Sequence, residues 1–104
     1  MFKPQLTVDE RSHDGWLLFD VSGELDMATA DQLGRVLKGS VGKKVIVDMA
    51  DVTFIDSVGL RTLLRARQEL GEDSMHVVAP DGPVRRLLRL TKLEDSFMLS
   101  DTLP

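Results

Sequence analysis

Three adjacent branched apolar residues, Val45-Ile46-Val47, constrain the fold more than any other stretch. Successive side chains of a strand point to opposite faces, so an unbroken apolar run predicts a strand buried on both sides. That is the habit of a central parallel strand, and parallel neighbours need crossover connections, usually helical. The strand is expected over 43–49 and a loop over 50–56. An amphipathic helix over 60–70 follows, with Leu60, Leu63, Leu64 and Leu70 on its inner stripe and Arg61, Arg65, Gln68 and Glu69 facing out.

The rest of the chain alternates in the same way. A weak edge strand over 5–10 and a strong strand over 16–21 flank the turn signal Asp14-Gly15, which predicts a hairpin. Trp16 is expected in the core. Gly23-Glu24-Leu25-Asp26 should break the second strand. Ala30, Leu33, Val36 and Leu37 predict a helix over 28–38, opened by a Thr29/Gln32 capping box or by Asp26, and closed at Gly39-Ser40-Val41-Gly42. After a loop at 71–73 comes a strand over 75–79. Pro80-Asp81-Gly82-Pro83 opens a third helix, with Asp81 as cap, Pro83 in the first turn and an inner stripe of Val84, Leu87, Leu88 and Thr91. A short strand at 97–99 ends the series. The order β-β-α-β-α-β-α-β implies an α/β fold with helices covering a sheet, and 104 residues fit one domain over 1–104.

Composition narrows the function. A net charge of −4 argues against a direct nucleic-acid binder, because phosphate backbones reward a basic surface. The absence of cysteine removes disulfides, thiolate metal sites and a cysteine nucleophile. His13 and His76 stand apart, without the companions a metal site needs. No apolar run approaches the roughly 20 residues of a membrane span, and no signal-peptide pattern opens the chain. A cytoplasmic protein with no membrane partner is expected.

Ser57 carries the chemistry. It sits where a loop becomes a helix, between Asp56 and Val58-Gly59. A helix start offers unpaired N–H groups and the positive end of a dipole, so it receives a phosphate readily. Ser57 is therefore both a natural N-cap and a candidate phosphoacceptor, roles that are compatible. Asp56 either caps the helix or orients the hydroxyl. Gly59 serves packing or the close approach of a partner backbone. Arg61, one turn on, either screens a phosphate or is simply solvated. Arg85, Arg86 and Arg89 read as a solvated basic face.

Gly23-Glu24-Leu25-Asp26 with Ala28-Thr29-Ala30, then Val47-Asp48-Met49 and Val52-Thr53-Phe54-Ile55-Asp56-Ser57-Val58-Gly59-Leu60, resemble a STAS domain, and more narrowly a bacterial anti-sigma factor antagonist. The resemblance runs from about 6 to 97. It implies a mixed β-sheet with helices packed mainly on one face. It also implies partner switching: the unphosphorylated antagonist binds an anti-sigma factor that is itself a serine kinase, and a sigma factor is freed. The kinase then phosphorylates the serine matching Ser57, and a serine phosphatase resets it. No catalytic residue, cofactor or metal is implied, and Asp26, Asp56, Ser57, Val58, Gly59 and Arg61 become the expected partner-binding residues. The chain departs from the family pattern at Val58 (often serine or threonine), at Arg61 and Lys92 (often glycine) and in its short C-terminus.

Other classes fit less well. A serine hydrolase lacks both the Gly-x-Ser-x-Gly elbow and a base for Ser57, and the phosphate-loop motif of nucleotide enzymes is absent. A phosphoaspartate receiver would use Asp48 at the end of a central strand, but has no acidic pair after the first strand. A STAS scaffold without a phospho-switch keeps the fold and drops the role of Ser57.

Overall fold

The computed structural model describes residues 4–104. Asp14 and Gly15 take φ of 49° and 86°, the two left-handed residues that a type I′ hairpin turn requires. They join β1 (Leu6–His13) to β2 (Trp16–Leu25) as an antiparallel pair. β2 does not break at Gly23. The register shifts between Gly23 and Glu24, and the strand bends and continues to Leu25.

β3 (Val45–Ile55) lies parallel to β2 and is longer than the sequence predicts. The expected loop at 50–56 is strand through Ile55, because Asp51, Val52, Phe54 and Ile55 pair with Ser22, Gly23, Glu24 and Leu25. β4 (Met75–Val78) and β5 (Met98–Ser100) extend the sheet in parallel, giving the order β1-β2-β3-β4-β5.

Each parallel crossover moves one strand further in the same direction. Right-handed connections therefore place α1 (Ala30–Lys38), α2 (Ser57–Leu70) and α3 (Pro83–Leu90) on one face of the sheet. Leu33, Leu37, Leu63 and Leu88 from these helices bury fully against Phe19, Val21, Val45 and Val47. Each such side chain contributes about 1.5–3 kcal/mol of burial energy. Ile46 points to the opposite face, where it meets Leu18 and Val78 under Trp16 and Leu103. The apolar run at 45–47 is thus buried on both sides, as its pattern requires. Trp16 is only partly buried, and the Lys44 ammonium lies 5.5 Å from its ring centroid.

Three local expectations are corrected. Asp81 does not cap α3: Gly82 holds that position without a side-chain bond, and Pro83 supplies the first turn. Thr91 faces solvent, its hydroxyl donating to the Leu87 carbonyl at 2.7 Å. Arg85 is not a solvated cation. It donates from Nε to the Ala79 carbonyl at 2.8 Å and pairs with Asp101 at 2.9 Å, so it ties α3 to β4 and the chain's end.

α3 closes in a Schellman turn, with Leu93 N–H donating to the Leu88 carbonyl at 2.8 Å and Lys92 N–H to Arg89 at 3.1 Å. Lys92 occupies the left-handed position, at φ 59°, that usually falls to glycine. A side chain there is strained by contact with the following carbonyl. Lys92→Gly is therefore expected to stabilise the fold by about 0.5–1 kcal/mol. Urea unfolding followed by circular dichroism checks this; a lower midpoint with an unchanged slope would refute it.

Candidate functional site

The site forms where the parallel strands β2 and β3 end together. Leu25 pairs with Ile55, and the Asp56 N–H donates to the Leu25 carbonyl at 3.3 Å. The segments that follow, Asp26–Thr29 and Asp56–Gly59, are thereby set side by side. Ends of parallel strands are where open α/β sheets present their functional loops.

The first of these segments is locked from within. Asp26 Oδ1 accepts the Ala28 N–H at 2.9 Å, and the Asp26 carbonyl accepts the Ala30 N–H at 2.8 Å. The Thr29 hydroxyl is buried, donates to the Glu24 carbonyl at 2.7 Å and accepts the Asp26 N–H at 3.0 Å. It binds the loop rather than the helix, and Gln32 reaches from Nε2 to the Leu6 carbonyl instead of back to Thr29. The predicted capping box is therefore absent, because both side chains find tertiary partners. The loop's tip leaves Met27 79% exposed.

In the second segment Asp56 is the N-cap. Its Oδ1 accepts the Val58 and Gly59 N–H groups at 2.9 and 3.0 Å, and its carbonyl accepts the Leu60 N–H at 3.0 Å. Ser57 is the first residue inside α2, not the cap. Its side chain is exposed, and its hydroxyl makes no hydrogen bond with any described residue. The helix start is thus less open to an anion than its sequence suggests, since a carboxylate already holds the Val58 and Gly59 amides. Val58 is half-buried against the core. Gly59 is buried: a Cβ there would stand 2.7 Å from the Leu25 carbonyl oxygen and 2.8 Å from Leu25 Cγ. It brings α2 onto the end of β2 and presents no surface outward. Arg61 is exposed and forms no ion pair among the described residues.

Two residues that the sequence reading passed over also mark this end of the sheet. Phe54, opposite Glu24 in the register, is 49% exposed, and with Met27 it puts apolar area near Ser57. Single exposed apolar residues are ordinary, whereas contiguous apolar patches mark interfaces. Met27 lies in the loop between β2 and α1, where no periodic stripe could single it out, and Phe54 falls in the stretch expected as loop.

Asp48 lies elsewhere. It sits within β3, well before the strand's end, beside Asp20 of β2 on the face away from the helices. Burial and then the Asp20 charge push its carboxyl above the ordinary 3.8, while the bond from the Ala50 N–H pulls the other way. A receiver's acceptor at a strand end is not what this position provides. His13 Nε2 meets the Pro104 carbonyl at 2.9 Å and His76 Nε2 meets Ser100 Oγ at 2.8 Å, on well-separated strands. Burial holds the His76 imidazole below its usual range.

A mixed five-stranded sheet with its helices on one face, presenting a serine at the first turn of α2, defines a small domain of the α/β class. The chain belongs to the STAS domain family, whose profile matches residues 7–104, and within it to the anti-sigma factor antagonists. It is 30% identical over 102 residues to the anti-sigma-F factor antagonist RsfB of Mycobacterium tuberculosis, covering 94% of this chain and 84% of that one. The crystal structure of an anti-sigma factor antagonist from Mycobacterium paratuberculosis superposes with a TM-score of 0.88 at 34% identity, covering 99% of this chain and 92% of that one. The Bacillus protein SpoIIAA in its phosphorylated form shares the fold, with a TM-score of 0.64 at 17% identity over 90% of this chain and 91% of that one. Among the described residues, no helix is long and apolar enough to cross a membrane.

Proposed function

We propose that this chain, acting as one domain over 1–104, is a partner-switching antagonist. With Ser57 unmodified it binds an anti-sigma factor that is also a serine kinase, and a sigma factor is released. The kinase transfers the γ-phosphoryl group of ATP to Ser57 Oγ, which ends the complex, and a serine phosphatase restores it. The contact surface comprises Asp26, Met27, Phe54, Asp56, Ser57, Val58 and Arg61, with Gly59 setting the pose of α2. The observation that carries this reading is the presentation of Ser57. Its hydroxyl is exposed and unengaged, yet its backbone is held rigidly by the Asp56 cap and by the contact of Gly59 with Leu25. The names of the antagonists it resembles, and the phosphorylated form of a structural relative, support the same role.

A phosphate at this place adds about −1.5 to −2 charges beside Asp56. The fold tolerates it at the helix's positive end, whereas a partner docked over the turn loses complementarity. Ser57→Ala and Ser57→Asp should therefore both fold, and the second should bind the anti-sigma partner at least about 100-fold more weakly, the scale of a desolvated like-charge contact. Capture with each variant as bait identifies the partner, and calorimetry gives the ratio. Incubation with the captured kinase and ATP should then add one phosphate, on Ser57. Equal affinity for the two variants would favour a STAS scaffold without a phospho-switch.

A further inference from the structure

We propose that the phosphate on Ser57 is held by Arg61 rather than by the amides of the helix start. This rests on the reading of Ser57 as phosphoacceptor and specifies how the modified surface is built. A free helix N-terminus would clasp the phosphate with its first-turn N–H groups. Here two of them are taken, since Val58 and Gly59 donate to Asp56 Oδ1; Leu60 makes its regular helical bond to the Asp56 carbonyl, and only the Ser57 N–H has no partner among the described residues. A phosphate can reach the Val58 and Gly59 amides only by displacing the Asp56 side chain, which removes two hydrogen bonds to gain their equivalents, and the single Ser57 N–H is too little to clasp it. Nor is the electrostatic setting favourable on that side. Asp56 is the adjacent residue, and Asp26 follows Leu25, whose register partner Ile55 precedes Asp56. Both carboxylates repel a dianion.

On the other side stands a cation with no competing partner among the described residues. Arg61 is four residues after Ser57 in the same helix, the spacing at which helical side chains meet. Cα–Cβ bonds in a helix tilt toward its N-terminus, so the Arg61 side chain leaves the backbone in the direction of Ser57. The positions three and four residues from Arg61 are Ser57, Val58, Leu64 and Arg65, none of them acidic. Arg61 forms no ion pair with a described residue, whereas Arg67 and Arg85 are engaged by Glu72, Glu94 and Asp101. A guanidinium on a long stem can present two donors to two phosphate oxygens, a geometry that lysine lacks. In this arrangement phosphorylation does two things at one place. It adds negative charge to the docking turn, and it folds the nearest cation of α2 onto that charge and out of a partner's reach. The charged groups facing the phosphate are then Asp56 from its own turn, Asp26 from the neighbouring loop and Arg61 from the helix.

The test uses the 104-residue chain carrying phosphoserine installed at position 57 during synthesis, so that no kinase is needed. Phosphorus NMR titration reads the second ionisation of the phosphate at low salt. In the parent chain it should fall about 0.2–0.4 of a unit below its value in the Arg61→Ala chain, the shift that a close helical ion pair produces. Arg61→Lys should recover only part of the difference. Amide spectra supply the second reading: the Val58 and Gly59 resonances should stay near their unphosphorylated positions, because Asp56 keeps them. Equal phosphate ionisation in the parent and Arg61→Ala chains would overturn the proposal, as would large shifts of both amides on phosphorylation. Failure of the switch itself reads out separately, as equal partner affinity of Ser57→Ala and Ser57→Asp.

Discussion

Gly59→Ala is expected to destabilise the fold by about 2 kcal/mol or more, the scale of overpacking a core that cannot yield. For a chain of this size that lowers the melting temperature by roughly 10 °C. The added methyl would stand 2.7 Å from the Leu25 carbonyl oxygen, 2.8 Å from Leu25 Cγ and 3.1 Å from Ile55 Cγ1. A flexible side chain could turn away, but the first of these neighbours is backbone. That carbonyl also accepts the Asp56 N–H, so moving it loosens the join between β3 and α2. The remaining escape is a shift of α2 away from the sheet, and that carries Ser57 and its cap with it. Gly59→Ala should therefore lose partner affinity as well as stability, although Gly59 is buried. Thermal unfolding followed at 222 nm checks the first effect. A wild-type melting temperature would mean that the helix has room the geometry denies it.

Gly23→Ala should cost more, about 3 kcal/mol, because two penalties coincide. Gly23 has φ 105°, which side chains rarely adopt, and a Cβ there would lie 2.2 Å from the Gln5 carbonyl oxygen. That oxygen accepts the Glu24 N–H at 2.7 Å, so relief of the overlap breaks the bond that fastens the start of β1 to the bend in β2. The damage should be local at first. Hydrogen exchange is expected to show lost protection along β1, where Leu6 pairs with Gly23, while β3 and β4 remain protected. Uniform loss across the sheet would instead indicate that the bend nucleates the whole fold.

Gly23 also shows how a sound local reading can fail. Glycine with Glu24-Leu25-Asp26 looks like a strand's end, since glycine weakens strands and acidic residues favour turns. Pairing with β3 overrides that preference, and the glycine becomes a bend inside the strand. The same cross-strand pairing turns 50–55 from an expected loop into strand. Ala50 and Asp51 are weak strand formers, and both are exposed in the strand.

The site shows a second kind of limit. Asp56 and Ser57 are both good caps, and sequence places either at the helix start. The choice depends on where the first turn begins, which follows from the close approach of Gly59 to Leu25 and from the hydrogen bond that anchors Asp56 N–H. Thr29 and Arg85 are similar cases. Their types suggest a cap and a solvated cation, and only tertiary neighbours make them a loop lock and a strut.

By itself, the sequence determined the periodic features. The Val45-Ile46-Val47 run, the Asp14-Gly15 turn, the leucine stripes and the order of strands and helices all follow from local burial patterns and turn geometry, and the signature around Ser57 identified the family. The tertiary structure alone decided where strands end, which residue caps α2 and which polar side chains are engaged. These outcomes turn on differences of about 1 kcal/mol between alternative hydrogen-bond partners, and residues distant in the chain supply those partners. It also decided the character of the Ser57 turn: a helix start whose Val58 and Gly59 amides Asp56 already holds, with Arg61 one turn on and unpaired among the described residues.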